Sequence, residues 1–113
     1  MKKSEIYFSI ALDDNRVPEA ISWRATDAGE KIHFAKAINI SLWDRDEAGT
    51  MKIDLWTKDM PVDEMKYFYI DTMGAMAQSI ATATNDEEMA KKIRALCKEL
   101  SEHVEQERQK GGN

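Results

Sequence analysis

Between Lys52 and Met65 the chain changes its period, and that change constrains the fold more than any other feature. The stretch reads KIDLWTKDMPVDEM. Before it, Met51, Ile53 and Leu55 alternate with Lys52, Asp54 and Trp56, the period of two that marks a half-buried strand. Pro61 then stops sheet pairing, because it has no N–H to donate. Proline suits a first helical turn, where the N–H groups lack partners anyway. Asp59 or Met60 is the expected N-cap; Asp59 is preferred, because its carboxylate can accept from those N–H groups. Asp63 and Glu64 follow where the helix dipole favours negative charge. Everything upstream reads as strand and turn, and everything downstream as helix.

Residues 5–12, EIYFSIAL, set Ile6, Phe8, Ile10 and Leu12 on one side and Tyr7, Ser9 and Ala11 on the other. Asp13, Asp14, Asn15 and Arg16 form a polar turn, which Asp and Asn suit because they tolerate left-handed geometry. Pro18 leads into a second strand over about 20–26, with Ile21, Trp23 and Ala25 on its apolar face. The two strands read as an antiparallel hairpin. Residues 27–34, DAGEKIHF, are broken by Gly29 and read as a loop or one short helical turn. Alternation resumes over 35–43, with Ile38, Ile40 and Leu42 on one side and Ala37, Asn39, Ser41 and Trp43 on the other. The charged turn DRDEAG and a fourth strand over about 50–58 complete a second hairpin. Keeping both apolar sets on one face requires partner residue numbers that add to an odd sum.

After Pro61 the period becomes 3.6. Met65, Phe68, Tyr69, Thr72, Met73, Met76, Ala77 and Ile80 share one face of a helix over about 61–83. Asn85, with Glu88 three residues on, has the spacing of a capping box for a second helix over about 86–108. Met89, Ile93, Leu96, Cys97, Leu100 and Val104 form the apolar face of that helix. Gly111, Gly112 and Asn113 are expected to fray. The order β-β-β-β-α-α is α+β. The expected fold is a four-stranded antiparallel sheet followed by two α-helices, in a single domain over 1–113. The sheet would bury Phe8, Ile10, Ile21, Trp23, Ile38, Ile40, Leu42, Ile53 and Leu55 against the long helix.

Function is narrowed mainly by exclusion. The net charge is -5, so nonspecific nucleic-acid binding is not expected, and no Lys/Arg cluster is interleaved with aromatics. No window approaches the roughly 20 apolar residues that span a bilayer, so no direct membrane insertion is expected. MKKSEIYFSI does not read as a signal peptide, because Glu5 interrupts at once. With one cysteine, Cys97, no internal disulfide can form. A reducing compartment, the cytoplasm, is the expected location.

No constellation of catalytic groups stands out. His33 and His103 lack partners at metal-ligand spacing, and His103 with Glu99 supplies too few groups. Cys97 falls on an apolar helix face, where cysteine behaves as a small hydrophobe. The acidic pairs lie in turns or first helical turns, and Asp44, Asp46 and Glu47 lack the glycine and distal glutamate of a calcium loop. No phosphate loop or nucleophile elbow is present. The chain is therefore expected not to be an enzyme, and no cofactor is expected. Met60, Met65, Met73 and Met76 read first as helix core, with an adaptable Met-rich binding groove as the other use.

The positive signal is the opposite sheet face. If Ile53 and Leu55 face the core, Trp56 cannot, and by parity Tyr7 and Trp43 also point outward. Tyr and Trp are favoured interface anchors. Unless the 27–34 loop or the second helix covers them, Tyr7, Trp43 and Trp56 mark a protein interface, most simply between copies of the chain in a homo-oligomer.

IDLWTKDMPVDEM, together with ATNDEEMA at Ala83–Ala90, resembles the GldC family of gliding motility-associated proteins of Bacteroidota. EIYFSIALDDNRVPEAISWRA and SLWD at Ser41–Asp44 fit the same family, so the resemblance covers nearly the whole chain. It implies a small cytoplasmic protein linked to the motility or secretion machinery, with no catalytic residues to carry over. The partner it implies is a protein of that machinery. The order of strands and helices is also similar to the SecB export chaperone, a likeness of topology only. The two resemblances suggest an adaptor that binds one defined partner, or a holdase for secreted or envelope proteins.

Overall fold

In a computed structural model, which describes residues 2–111, the chain forms two compact units that join in sequence between Met60 and Pro61. The first holds strands β1 (Ile6–Leu12), β2 (Pro18–Ala25), β3 (His33–Ala35), β4 (Ala37–Trp43) and β5 (Thr50–Trp56). The second holds helices α1 (Val62–Thr84) and α2 (Glu87–Gly111). Strands still precede helices and the switch at Pro61 holds, but the described residues form five strands where four were expected.

The expected single four-stranded sheet does not. The strands form two small antiparallel sheets, β1-β2-β3 and β4-β5. The third strand expected over 35–43 keeps only 37–43, as β4; Ala35 joins His33 and Phe34, expected in the loop, to make β3, and the chain breaks at Lys36 between them. β3 pairs with β2 through Ile21↔Ala35, Ser22↔Phe34 and Trp23↔His33. β4 pairs with β5 from Ala37↔Trp56 to Trp43↔Thr50. Continuing the β2–β3 register would set Pro18 against Ile38, and Pro18 has no N–H for that ladder. The chain after β5 uses these groups instead. Thr57 N–H donates to the Lys36 carbonyl at 2.7 Å, and Lys58 N–H donates to the Pro18 carbonyl at 3.0 Å.

Register follows the parity argument. Every β4–β5 pair adds to an odd sum, so Ile38, Ile40, Leu42, Met51, Ile53 and Leu55 share one face. In β1–β2, Ile6, Phe8 and Ile10 oppose Ala25, Trp23 and Ile21, until the register shifts at Ala11/Leu12. The turn that follows is held by Asp13, whose Oδ1 accepts from Asn15 N–H at 2.8 Å and Val17 N–H at 2.9 Å. Thr26–Ala28 forms a single 3₁₀ turn that ends at Gly29 with φ 74°. Only glycine adopts that angle without steric cost.

Burial is thinner than expected. Ile21 is the only large side chain fully buried among the described residues, while Phe8, Leu42 and Ile53 are exposed. Rows at the edges of two small sheets keep solvent where a continuous sheet would have flanked them with a neighbouring strand. His33, expected in a loop, lies in β3, and its ring stacks on Trp23 at 4.6 Å.

In the helical unit, Ala77, Ala81 and Ala90 are buried together, with Ile93 packed on them. Small side chains let the two backbones approach there. Two expected caps move. Pro61 itself is the N-cap of α1 and makes no side-chain cap bond. Asp59 instead accepts from the Thr57 hydroxyl at 2.6 Å. Asn85 does not begin α2; it ends α1 in the left-handed conformation (φ 59°), with its N–H donating to the Ala81 carbonyl. Asp86 Oδ1 accepts from Met89 N–H at 3.0 Å and starts α2. Both residue types cap, but asparagine tolerates the left-handed angle better than most residues. α2 runs to Gly111; Gly112 and Asn113, also expected to fray, lie outside the described residues.

Candidate protein-binding surface

β4 and β5 place Trp43 and Trp56 on the same face of their hairpin, together with Ala37, Asn39, Ser41, Thr50, Lys52 and Asp54. Both rings are exposed, at 73% for Trp43 and 43% for Trp56. They stand at opposite ends: Trp43 pairs with Thr50 beside the charged turn, and Trp56 opposes Ala37. Six residues of strand separate them, about 20 Å.

The space between them is polar and internally bonded. Asn39 Nδ2 donates to Asp54 Oδ1, and Lys52 Nζ lies 3.2 Å from Asp54 Oδ2. The face is thus two aromatic anchors around a paired polar centre. Such an arrangement suits a partner that fills two separate pockets and can meet amide and carboxylate groups between them.

The turn beside Trp43 is closed by its own hydrogen bonds. Asp44 Oδ2 accepts from Glu47 N–H at 2.7 Å and Asp46 N–H at 3.1 Å. Asp44 N–H donates to the Gly49 carbonyl at 3.1 Å. The carboxylate of Asp44 therefore closes its own turn, next to Trp43. Among the described residues, no group of three His, Cys, Asp or Glu side chains is placed to hold a metal ion.

Tyr7 stands apart from the tryptophans, on β1 of the other sheet. It is 42% exposed, but the Arg24 guanidinium lies 4.1 Å above its ring centre. That is a cation–π contact. Its hydroxyl donates to Glu5, and Arg24 pairs with Glu30 at 3.5 Å. Parity placed Tyr7 on its face but could not reveal Arg24 as its cover. The register Tyr7↔Arg24 makes that contact, and register across strands comes from pairing, which the sequence showed only by parity.

Sequence reasoning also missed exposed apolar positions on the faces it assigned to the core. Leu42, Met51 and Ile53 on the sheet side, and Met76, Met89 and Leu96 on the helices, are all exposed. On the helical hairpin, Tyr69, Ile70, Met73, Leu100 and Val104 line one shallow depression. Cys97 is half-buried, and its thiol points to the Ile70 carbonyl at 3.6 Å, as its apolar face requires.

No helix among the described residues is long and apolar enough to cross a membrane. No curated protein and no solved structure matches the chain, and the four-stranded sheet on which the likeness to SecB was drawn is not the one found. The family model described as gliding motility-associated protein GldC-like matches residues 18–106, which include β2 to β5, all of α1 and most of α2. A match over that much of the chain shows its family: the protein belongs to the GldC-like gliding motility-associated proteins.

Proposed function

We propose that the chain is a non-enzymatic adaptor of the gliding motility machinery, acting in the cytoplasm by binding one defined protein partner, and that it works as a homo-oligomer. The observation that supports this reading is the pair of exposed tryptophans on one face of the β4–β5 hairpin, held about a paired polar centre. Membership of the family supplies the process. The test is affinity capture of the tagged protein from its native cells, beside a Trp43→Ser/Trp56→Ser double variant. Trp56 is 43% exposed and so partly packed, and a circular-dichroism spectrum and thermal midpoint like the native chain's establish that the double variant folds before its capture is read. One stoichiometric partner captured by the native chain should fall by about 30-fold or more in affinity, the loss of a single interface anchor. Undiminished capture by a folded double variant removes the tryptophan face from the reading.

A second reading is a SecB-like holdase for secreted or envelope proteins. It is supported by the exposed apolar side chains on both units, among them Phe34 at 77% and Met51 at 61%. Its mark would be capture of many unrelated chains at low stoichiometry.

A further inference from the structure

β1 is an edge strand: it pairs with β2, and its second edge meets no strand among the described residues. Natural edge strands are guarded by charge, proline, a bulge or brevity. Over Ile6 to Ala11, β1 has none of these, and its register shift comes only after Ala11.

The direction of its open groups can be read. Glu5 turns both backbone groups toward β2, taking a bond from Thr26 N–H to its carbonyl at 3.0 Å and giving its N–H to the Thr26 hydroxyl at 3.1 Å. Antiparallel pairing alternates, so Tyr7, Ser9 and Ala11 also turn inward. Ile6, Phe8 and Ile10 therefore turn their N–H and C=O outward. Groups of that kind are best met by another strand.

The flanks indicate which strand. Lys2 and Lys3 precede β1, and Asp13 and Asp14 follow it. Lys2, Lys3 and Asp14 form no ion pair among the described residues. Let two copies of β1 run antiparallel with Phe8 opposite Phe8. Then Ile6 meets Ile10 and Tyr7 meets Ser9, and beyond the strand, at both ends, Lys2 and Lys3 come to the side of the acidic turn that carries Asp13 and Asp14. Shifted to put Ser9 opposite Ser9, the pairing brings Glu5 to the side of Asp13, a like-charge approach. Shifted to put Tyr7 opposite Tyr7, it sets Lys2 against Leu12 and Lys3 against Ala11. Any odd sum would set inward-turned groups against outward-turned ones.

β4 is also uncharged, but its flanks are engaged: the Asp44 carboxylate closes its own turn, and Lys36 already has a partner. Asp13 does carry Lys58 at 3.2 Å, so Lys2 with Asp14 is the cleaner pair.

We infer that two copies of the chain join through antiparallel β1–β1 pairing with Phe8 at the two-fold axis, extending the three-stranded sheet to six strands. This rests on the homo-oligomer part of the function proposed above and moves the contact from the tryptophan face to the β1 edge.

The test is sedimentation of the full chain, first native and then as charge-reversed variants. Lys2→Glu and Asp14→Lys each set like charges at both ends of their own dimer. Each should weaken it about tenfold, as two exposed pairs allow. Mixed together, the two variants restore opposite charges at both ends and should recover native affinity. Ile6→Pro removes one outward N–H and no bond to β2, so it should dissociate the dimer with the sheet intact. A second measurement does not depend on that fold. In a Cys97→Ser background, Tyr7→Cys and Ser9→Cys proteins should cross-link to each other faster than either does to itself.

A monomeric native chain, a dimer that survives Ile6→Pro, or self-linking of Tyr7→Cys or Ser9→Cys as the faster reaction each overturns the inference. A monomer that still captures its motility partner sinks this pairing and leaves the adaptor standing. A β1-linked dimer that captures nothing does the reverse.

Discussion

Lys58 shows how much one side chain organises here. Its Nζ lies 3.0 Å from Glu19 Oε1 and 3.2 Å from Asp13 Oδ2, while its N–H holds the Pro18 carbonyl. One residue after β5 thus fastens the turn before β2. Bonds to Glu19 and then Asp13 raise the Lys58 pKa above its ordinary 10.5. The Val17 N–H, opposed by partial desolvation and helped by Lys58, lowers that of Asp13 below 3.8. A lowered carboxylate gives stability that is present above its unfolded value and fades as pH falls through its folded value. A raised lysine gives stability that is present below its unfolded value and fades as pH rises through its folded value. Native stability should therefore weaken below about pH 4 and above about pH 10.5, by the directions of these shifts. Asp13→Asn keeps an oxygen for the turn and loses the charge. Its thermal midpoint should be lower than native at neutral pH and less sensitive to acid. Equal acid sensitivity in both proteins would show that Asp13 is not the group that titrates. None of this was legible in the sequence, because Asp13 and Lys58 are 45 residues apart.

Elements were legible to different degrees, for physical reasons. The shared faces of β4 and β5 follow from period two alone, and the pairing obeys them. The switch at Pro61 follows from its missing N–H. The break at Lys36 was not read, although Lys36 falls on the side of Ile38, Ile40 and Leu42, because one lysine at a strand's start does not by itself end a strand; what divides the chain there is the supply of partners, with Pro18 unable to donate. Asn85 and Asp86 were ambiguous because both cap helices, and only the backbone angle separates their roles. Helix faces were legible as apolar stripes, but the residues buried deepest are alanines, which carry little hydrophobic signal. That alanine seam makes its own prediction. Ala77 and Ala90 are 0% exposed. Ala90→Leu should overfill the contact and cost about 1–3 kcal/mol. Ala75→Leu, on an exposed position of the same hairpin, should change stability by less than about 0.5 kcal/mol. Urea unfolding of both variants checks it; equal costs would mean the helices approach less closely at Ala90 than its burial shows.

At the scale of the whole molecule, the question is what so much exposed apolar surface is for. Sixteen large hydrophobic side chains of the described residues are exposed, and they occur in both units. Where such side chains lie side by side, as in a contiguous apolar patch, they mark a contact. They serve either one partner with matched geometry or many partners without it. A holdase needs apolar surface that adapts, as methionine-rich surfaces do. The tryptophan face is the opposite kind. Its anchors sit on paired strands, the adjoining turn is closed by Asp44, and the space between is filled by the Asn39, Asp54 and Lys52 contacts. An unfolded client would have to satisfy or displace those polar groups, while a matched partner can be built around them. The adaptor reading therefore expects no suppression of heat-induced aggregation of unrelated proteins, even at molar excess, with light scattering as the readout. Suppression that persists in the Trp43→Ser/Trp56→Ser variant would shift the function to the apolar positions elsewhere, with Met51, Met76 and Met89 the first to replace. Suppression lost in that variant would make the tryptophan face itself a client surface, and selectivity for a single partner would no longer follow from its geometry.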